Sequence, residues 1–76
     1  MDKCKYSEND YVVFDSGAGL QIGWIYIVDK NGTFDQHVEP SYDIMVEAYG
    51  MAANKMLFKH IRQSWIKRKV GVHFAE

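Results

Sequence analysis

MAANKMLFKHIRQSW, residues 51–65, is the stretch on which the fold turns. Ala53, Leu57, Ile61 and Trp65 recur every four residues, and Met, Ala, Leu, Lys and Arg favour helix. Taken alone, the stretch predicts an amphipathic helix at about 51–66 and an α+β domain. A second reading fits the same residues. Met56 to Ile61 can be a strand, with Arg62-Gln63-Ser64-Trp65 a single 3-10 turn, which gives an all-β domain. The neighbouring segments weigh between the two.

Downstream, Ile66, Val70, Val72 and Phe74 fall on one side of an alternating pattern and Lys67, Lys69 and His73 on the other. Arg68 interrupts the apolar side, where its aliphatic stem can cover a rim. Upstream, Tyr42-Asp43-Ile44-Met45-Val46-Glu47 alternates with Tyr42, Ile44 and Val46 inward, and Tyr49-Gly50 breaks it. Thr33 to Ser41 is polar and closes at Pro40. Asp29-Lys30-Asn31-Gly32 is a turn signal, because Asn-Gly supplies two positive-φ residues for a type I′ turn. From Leu20 to Val28, Trp24, Tyr26 and Val28 share one face while Ile25 and Ile27 share the other. Apolar residues on both faces describe a central strand, covered twice or curled into a barrel. Tyr11-Val12-Val13-Phe14 is β-branched and aromatic and ends in the loop Asp15-Ser16-Gly17-Ala18-Gly19. The expected fold is all-β, a small barrel of about five strands with a short 3-10 turn. The helix at about 51–66 is the alternative.

The order of these pieces resembles SH3-like small barrels. Asp10 to Phe14, the glycine-rich loop and Gly23 to Asp29 are similar to their first two strands, and Ser41 to Val46 looks like the third strand of Tudor- and KOW-like modules. Phe58 to Ile61, then Ser64-Trp65-Ile66, looks like the fourth strand, the 3-10 turn and the fifth strand. The resemblance covers about residues 10–70 and implies a fold rather than an activity. The Ala48 to Asn54 connection is long for the pattern. In size and simplicity the chain also resembles phage or prophage accessory proteins that modulate a host factor.

Seventy-six residues make one domain, spanning 1–76, with 1–9 expected to be a loosely ordered segment. Eleven aromatic residues and 47% apolar content exclude disorder and low-complexity repeats. The net charge of −1 hides a split. Residues 1–54 carry three Lys/Arg against nine Asp/Glu, a net −6; residues 55–76 carry six Lys/Arg against Glu76, a net +5. A single cysteine, Cys4, forbids an internal disulfide and fits a reducing compartment. The charged start of the chain shows no signal peptide and no stretch is long enough to span a bilayer, so a cytoplasmic location is expected. Asn31-Gly32-Thr33 matches a glycosylation sequon but is read as a turn.

Little in the chain suggests catalysis. Gly17-Ala18-Gly19-Leu20-Gln21-Ile22-Gly23 is one residue out of register for a dinucleotide fingerprint and leads into a strand rather than a helix. Asp29, Asp35, Glu39 and Asp43 lie in turn-rich sequence with nothing to fix their geometry, and Ser16, Ser41 and Ser64 have no local activating partner. His37, His60 and His73 are spaced too irregularly for a metal motif. No cofactor, no metal and no enzymatic activity are expected. Two binding readings remain. The basic residues Lys55, Lys59, Arg62, Lys67, Arg68 and Lys69 could share one face and meet a phosphate backbone, with Trp65 or Tyr49 stacking a base. This makes nucleic acid or a nucleoprotein complex the expected partner. Alternatively, Tyr11, Trp24, Tyr26 and Tyr42 line an aromatic groove, or the acidic half docks on a basic surface, and the chain is a protein-binding modulator.

Overall fold

The computed structural model describes residues 3–47 and 54–74. Five strands form, β1 (Asp10–Asp15), β2 (Leu20–Asp29), β3 (Ser41–Glu47), β4 (Lys55–Arg62) and β5 (Ile66–Val72), with a 3-10 turn at Gln63–Trp65. They make one antiparallel sheet in the order β4-β3-β2-β1-β5. The architecture is all-β and compatible with an SH3-like fold. The alternative helix at 51–66 is not formed, since residues 55–66 are strand, turn and strand, while 51–53 lie outside the described residues. Pairing of Met56, Leu57 and Phe58 with Val46, Met45 and Ile44 overrides the helix propensity of the segment. The break at Tyr49-Gly50 and most of the 48–54 connection also lie outside the described residues.

The sheet is not closed into a barrel, because β4 and β5 are its two edges. It is nevertheless strongly curled. Crossing four inter-strand gaps of about 4.8 Å takes roughly 19 Å on a flat sheet. The chain from Arg62 to Ile66 reaches at most about 14 Å when extended and less in a 3-10 turn. The edges must therefore converge at Gln63–Trp65. Bulges supply the curl. Register shifts interrupt β1–β5 twice, β2–β3 once between Ile25 and Ile27, and β3–β4 once between Tyr42 and Ile44. At the last, Asp43 faces both Lys59 and His60; His60 sits at φ 62 and donates its backbone N–H to Asp43 Oδ1 at 3.1 Å.

These bulges reset the alternation expected from sequence. Val28 shares the inner face with Ile25, not the outer face with Trp24, because β2 carries an extra residue at Tyr26. In β5, shifts at Lys67 and Val70 leave Ile66 inside, while Val70, Val72 and the following Phe74 are exposed. Arg68 pairs with Val13 and so takes the outer face. The Asp29 to Gly32 turn closes with a Gly32 N–H donated to the Asp29 carbonyl at 3.2 Å, but only Gly32 has positive φ, at 77°. It opens a loop that runs to Pro40 rather than a two-residue hairpin.

The core consists of Val12, Phe14, Ile25, Tyr42, Ile44, Val46, Ile61 and Ile66, with Tyr6, Val28 and Phe58 at its margin. Tyr42, Ile44 and Val46 point inward as their alternation required. Gly23 lies where β2 crosses β3 closely: a Cβ there would collide with the Met45 carbonyl and with the Ile44 and Val46 side chains. The segment before β1, expected to be loose, is held at several points over residues 3–9. Tyr6 meets Tyr42 edge-on at 5.9 Å, Asn9 donates its N–H to the Ile25 carbonyl at 2.8 Å, and Lys3 and Lys5 bond to Gln63.

Candidate functional site

A 3-10 turn advances about 120° per residue, and Gln63, Ser64 and Trp65 take three different roles. Gln63 is buried at 4% exposure. Its Oε1 accepts from Lys5 N at 2.9 Å and from the Tyr42 hydroxyl at 2.5 Å, its Nε2 donates to the Lys3 carbonyl at 3.1 Å, and its N–H donates to the Pro40 carbonyl at 3.0 Å. Burial, and after it the neighbouring Cys4, push the Tyr42 hydroxyl well above its ordinary range, so it stays protonated and donates. Ser64 turns toward the β2–β3 loop, donating its N–H and hydroxyl to the Glu39 carboxylate at 2.6 and 2.8 Å. Trp65 faces outward at 39% exposure, with the Arg62 guanidinium over its ring at 5.5 Å. Beside it is an open cleft of about 80 Å³ lined by Asp15, Gly17 and Trp65.

The strand order divides the expected basic face. The six cations lie on β4 and β5, which are opposite edges, so one flat face cannot carry them all. Arg62 lies over the Trp65 ring, and Lys67 and Arg68 follow Trp65 within three residues, at the start of β5. Lys59 lies one bulge away, opposite Asp43. Lys55 is at the far end of β4, seven residues and roughly 23 Å from Arg62 along a strand, and it pairs in register with Glu47. Lys69 is engaged by the buried Asp10 carboxylate, Nζ to Oδ1 at 3.2 Å. The cations nearest Trp65 along the chain are therefore Arg62, which covers its ring, then Lys67 and Arg68, while Asp15 lines the cleft on its other side. Tyr49, the other candidate stacking ring, lies outside the described residues.

The expected aromatic groove is also divided. Tyr42 is 1% exposed and belongs to the core on the inner face. Tyr11, Trp24 and Tyr26 lie together on the outer face, where His73, missed in sequence reading, joins them. Its ring stacks on Trp24 at 4.1 Å and 4°, and meets Tyr11 edge-on at 5.7 Å. Trp24 meets Tyr26 edge-on at 5.7 Å, and its buried indole N–H has no acceptor among the described residues. Burial, then the charge of Glu47, raises the Tyr11 hydroxyl above its ordinary value. The registers align Leu57, Met45, Trp24, Tyr11 and Gly71 in one row across all five strands, an uncharged band on the outer face. Nothing in the sequence pattern alone indicated that His73 would close this cluster, since it follows the last strand.

Among the described residues, no group of three or more His, Cys, Asp or Glu side chains is placed to hold a metal ion, and no helix is long and apolar enough to cross a membrane. No protein-family model, no curated protein and no solved structure matches the chain.

Proposed function

We propose that the chain is a non-enzymatic cytoplasmic interaction module that associates with nucleic acid, alone or in a nucleoprotein complex, through Arg62, Trp65, Lys67 and Arg68. The observation that carries this reading is the half-exposed Trp65 ring with the Arg62 guanidinium over it, at the turn from which Lys67 and Arg68 continue into β5. An exposed ring stacks a base, and the cations neutralise the phosphates on either side of it. The cleft beside Trp65, about 80 Å³, is far below the roughly 300–1,000 Å³ of a small-molecule site, which favours surface binding over catalysis. A Tudor- or KOW-like role in a phage or prophage setting is consistent with this reading.

Fluorescence anisotropy with a labelled single strand tests the proposal. With Arg62, Lys67 and Arg68 engaged, log K falls against log salt with a slope of about −2. Trp65→Ala lowers affinity by about 5- to 150-fold, and Lys55→Ala leaves it within about twofold. Absence of binding at low salt, or equal losses from Lys55→Ala and Arg62→Ala, defeats it. The uncharged outer row through Trp24 and Tyr11 favours a second reading, a protein-binding modulator. In that case Tyr26→Ser impairs partner binding while the anisotropy of a labelled strand never rises.

A further inference from the structure

The run Asp15-Ser16-Gly17-Ala18-Gly19 has no part in the basic turn, yet it builds the walls of the cleft beside Trp65. β1 and β5 are antiparallel and Phe14 pairs with Ile66, so Asp15, the next residue of β1, comes beside Trp65, the residue before Ile66. The β1–β2 loop then closes on itself. Ser16 donates its N–H and its hydroxyl to the Gly19 carbonyl at 3.0 and 2.9 Å, and Ala18 donates its N–H to the Ser16 hydroxyl at 3.3 Å. Gly17 donates its N–H to Asp15 Oδ1 at 2.8 Å. Its φ is 92°, and the space a Cβ there would enter is empty. The cleft is therefore bounded by one flat aromatic ring, one bare stretch of backbone and one half-buried carboxylate. The only charge among its lining residues is negative, since Arg62 covers the Trp65 ring without lining the cleft.

That set of walls sorts nucleobases. Every base has a π face for an exposed indole, so stacking on Trp65 is indifferent to sequence and discrimination falls to the base edge. A carboxylate only accepts hydrogen bonds, and it is best satisfied by two parallel N–H groups, one to each oxygen. The Watson–Crick edge of guanine offers that pair, an imino and an amino N–H side by side. Adenine and cytosine set their amino group beside a bare ring nitrogen, whose lone pair repels the carboxylate. Thymine and uracil hold a single N–H between two carbonyls. The Gly17 bond takes one of about four lone-pair sites on Asp15, so two further donors can be accepted. At about 80 Å³ the open cleft takes the edge of a base while the ring lies on Trp65. For a base without that donor pair Asp15 is a penalty, because it repels the phosphates that the cations attract. Building on the nucleic-acid reading, we propose that Trp65 and Asp15 form a guanine-selective subsite. The base stacks on the indole and donates its imino and amino N–H groups to the Asp15 carboxylate, while Arg62, Lys67 and Arg68 hold the flanking phosphates.

Fluorescence anisotropy at low salt tests this with labelled oligothymidylates that carry guanine, adenine, cytosine or thymine at one central position. The guanine strand binds at least about fivefold more tightly than the other three. Hypoxanthine at that position keeps the imino N–H but lacks the amino group, and most of the preference disappears; this comparison needs no variant protein. Asp15→Asn retains an Oδ1 for the Gly17 N–H and exchanges the second acceptor for a donor. It binds the four strands within about twofold of one another, and the thymine strand no more weakly than the parent does. Equal binding of the four strands by the parent overturns the inference and leaves the nucleic-acid reading standing. So does a guanine preference that survives hypoxanthine or Asp15→Asn. Binding to none of the strands overturns both.

Discussion

Replacing Gln63 by leucine removes no volume of consequence yet disconnects three segments. Gln63→Leu leaves the Tyr42 hydroxyl, on a residue 1% exposed, without its acceptor, and frees the Lys5 N–H and the Lys3 carbonyl. A buried hydroxyl without a partner costs about 1–3 kcal/mol. The Lys3 and Lys5 groups are only partly buried and regain water, so each loss costs about 0.5–1 kcal/mol. The total is about 3 kcal/mol, which lowers Tm by roughly 12–24 °C in a domain of this size. Urea denaturation reads the same loss as a shift in midpoint at unchanged slope. The decisive control is Tyr42→Phe. In the double variant Gln63→Leu/Tyr42→Phe no buried hydroxyl is orphaned, so its cost falls short of the summed single costs by about 1–2 kcal/mol. If the two substitutions add within about 0.3 kcal/mol, or Gln63→Leu costs under about 1 kcal/mol, the amide is not the hub described.

Two further perturbations test the fold. At His60, φ 62 sets backbone conformation against strand propensity. Glycine there is more stable than histidine by about 0.5–1 kcal/mol, and valine less stable by about 1–2 kcal/mol; thermal melts in which valine exceeds glycine would remove the bulge from the account. The raised Tyr42 hydroxyl sets an alkaline limit. Above pH 10 the unfolded chain releases this proton while the folded chain keeps it, so stability is complete below pH 10 and then falls by about 1.4 kcal/mol per pH unit. Tyr42→Phe flattens that slope in urea melts taken between pH 9 and about 11, and an unchanged slope contradicts the assignment.

Much of the strand layout was legible because it is written in single residues. Asp10 to Phe14, Leu20 to Asp29 and Ser41 to Glu47 are apolar runs bounded by Gly, Asn or Pro, and they became β1, β2 and β3. What escaped was parity. One extra residue at Tyr26 moves Val28 to the other face, and shifts in β5 do the same to Val70 and Lys69. A bulge has no compositional signature here, as His60 is an ordinary strand residue until Asp43 captures its N–H. The candidate basic surface was legible only as a charge count. Six cations near the end of the chain say nothing of edge order, and the order β4-β3-β2-β1-β5 sends Lys55 and Lys69 to acidic neighbours.

The turn that joins the two edge strands also sets out the proposed binding surface, and these two roles cannot be separated. Three consecutive residues at about 120° intervals send Gln63 into the core, Ser64 to the β2–β3 loop and Trp65 to solvent. The direction of Trp65 is therefore fixed by partners that Trp65 never touches: Tyr42, Lys3 and Lys5 on one side, and Glu39 on the other. The N-terminal segment is thereby part of the surface, although it contributes no cation to the cluster. The charge split follows the same division. The acidic part supplies the strands and the loop that aim the turn, and the basic part supplies the groups aimed. A net charge of −1 is what remains when the framework and the surface it presents are summed.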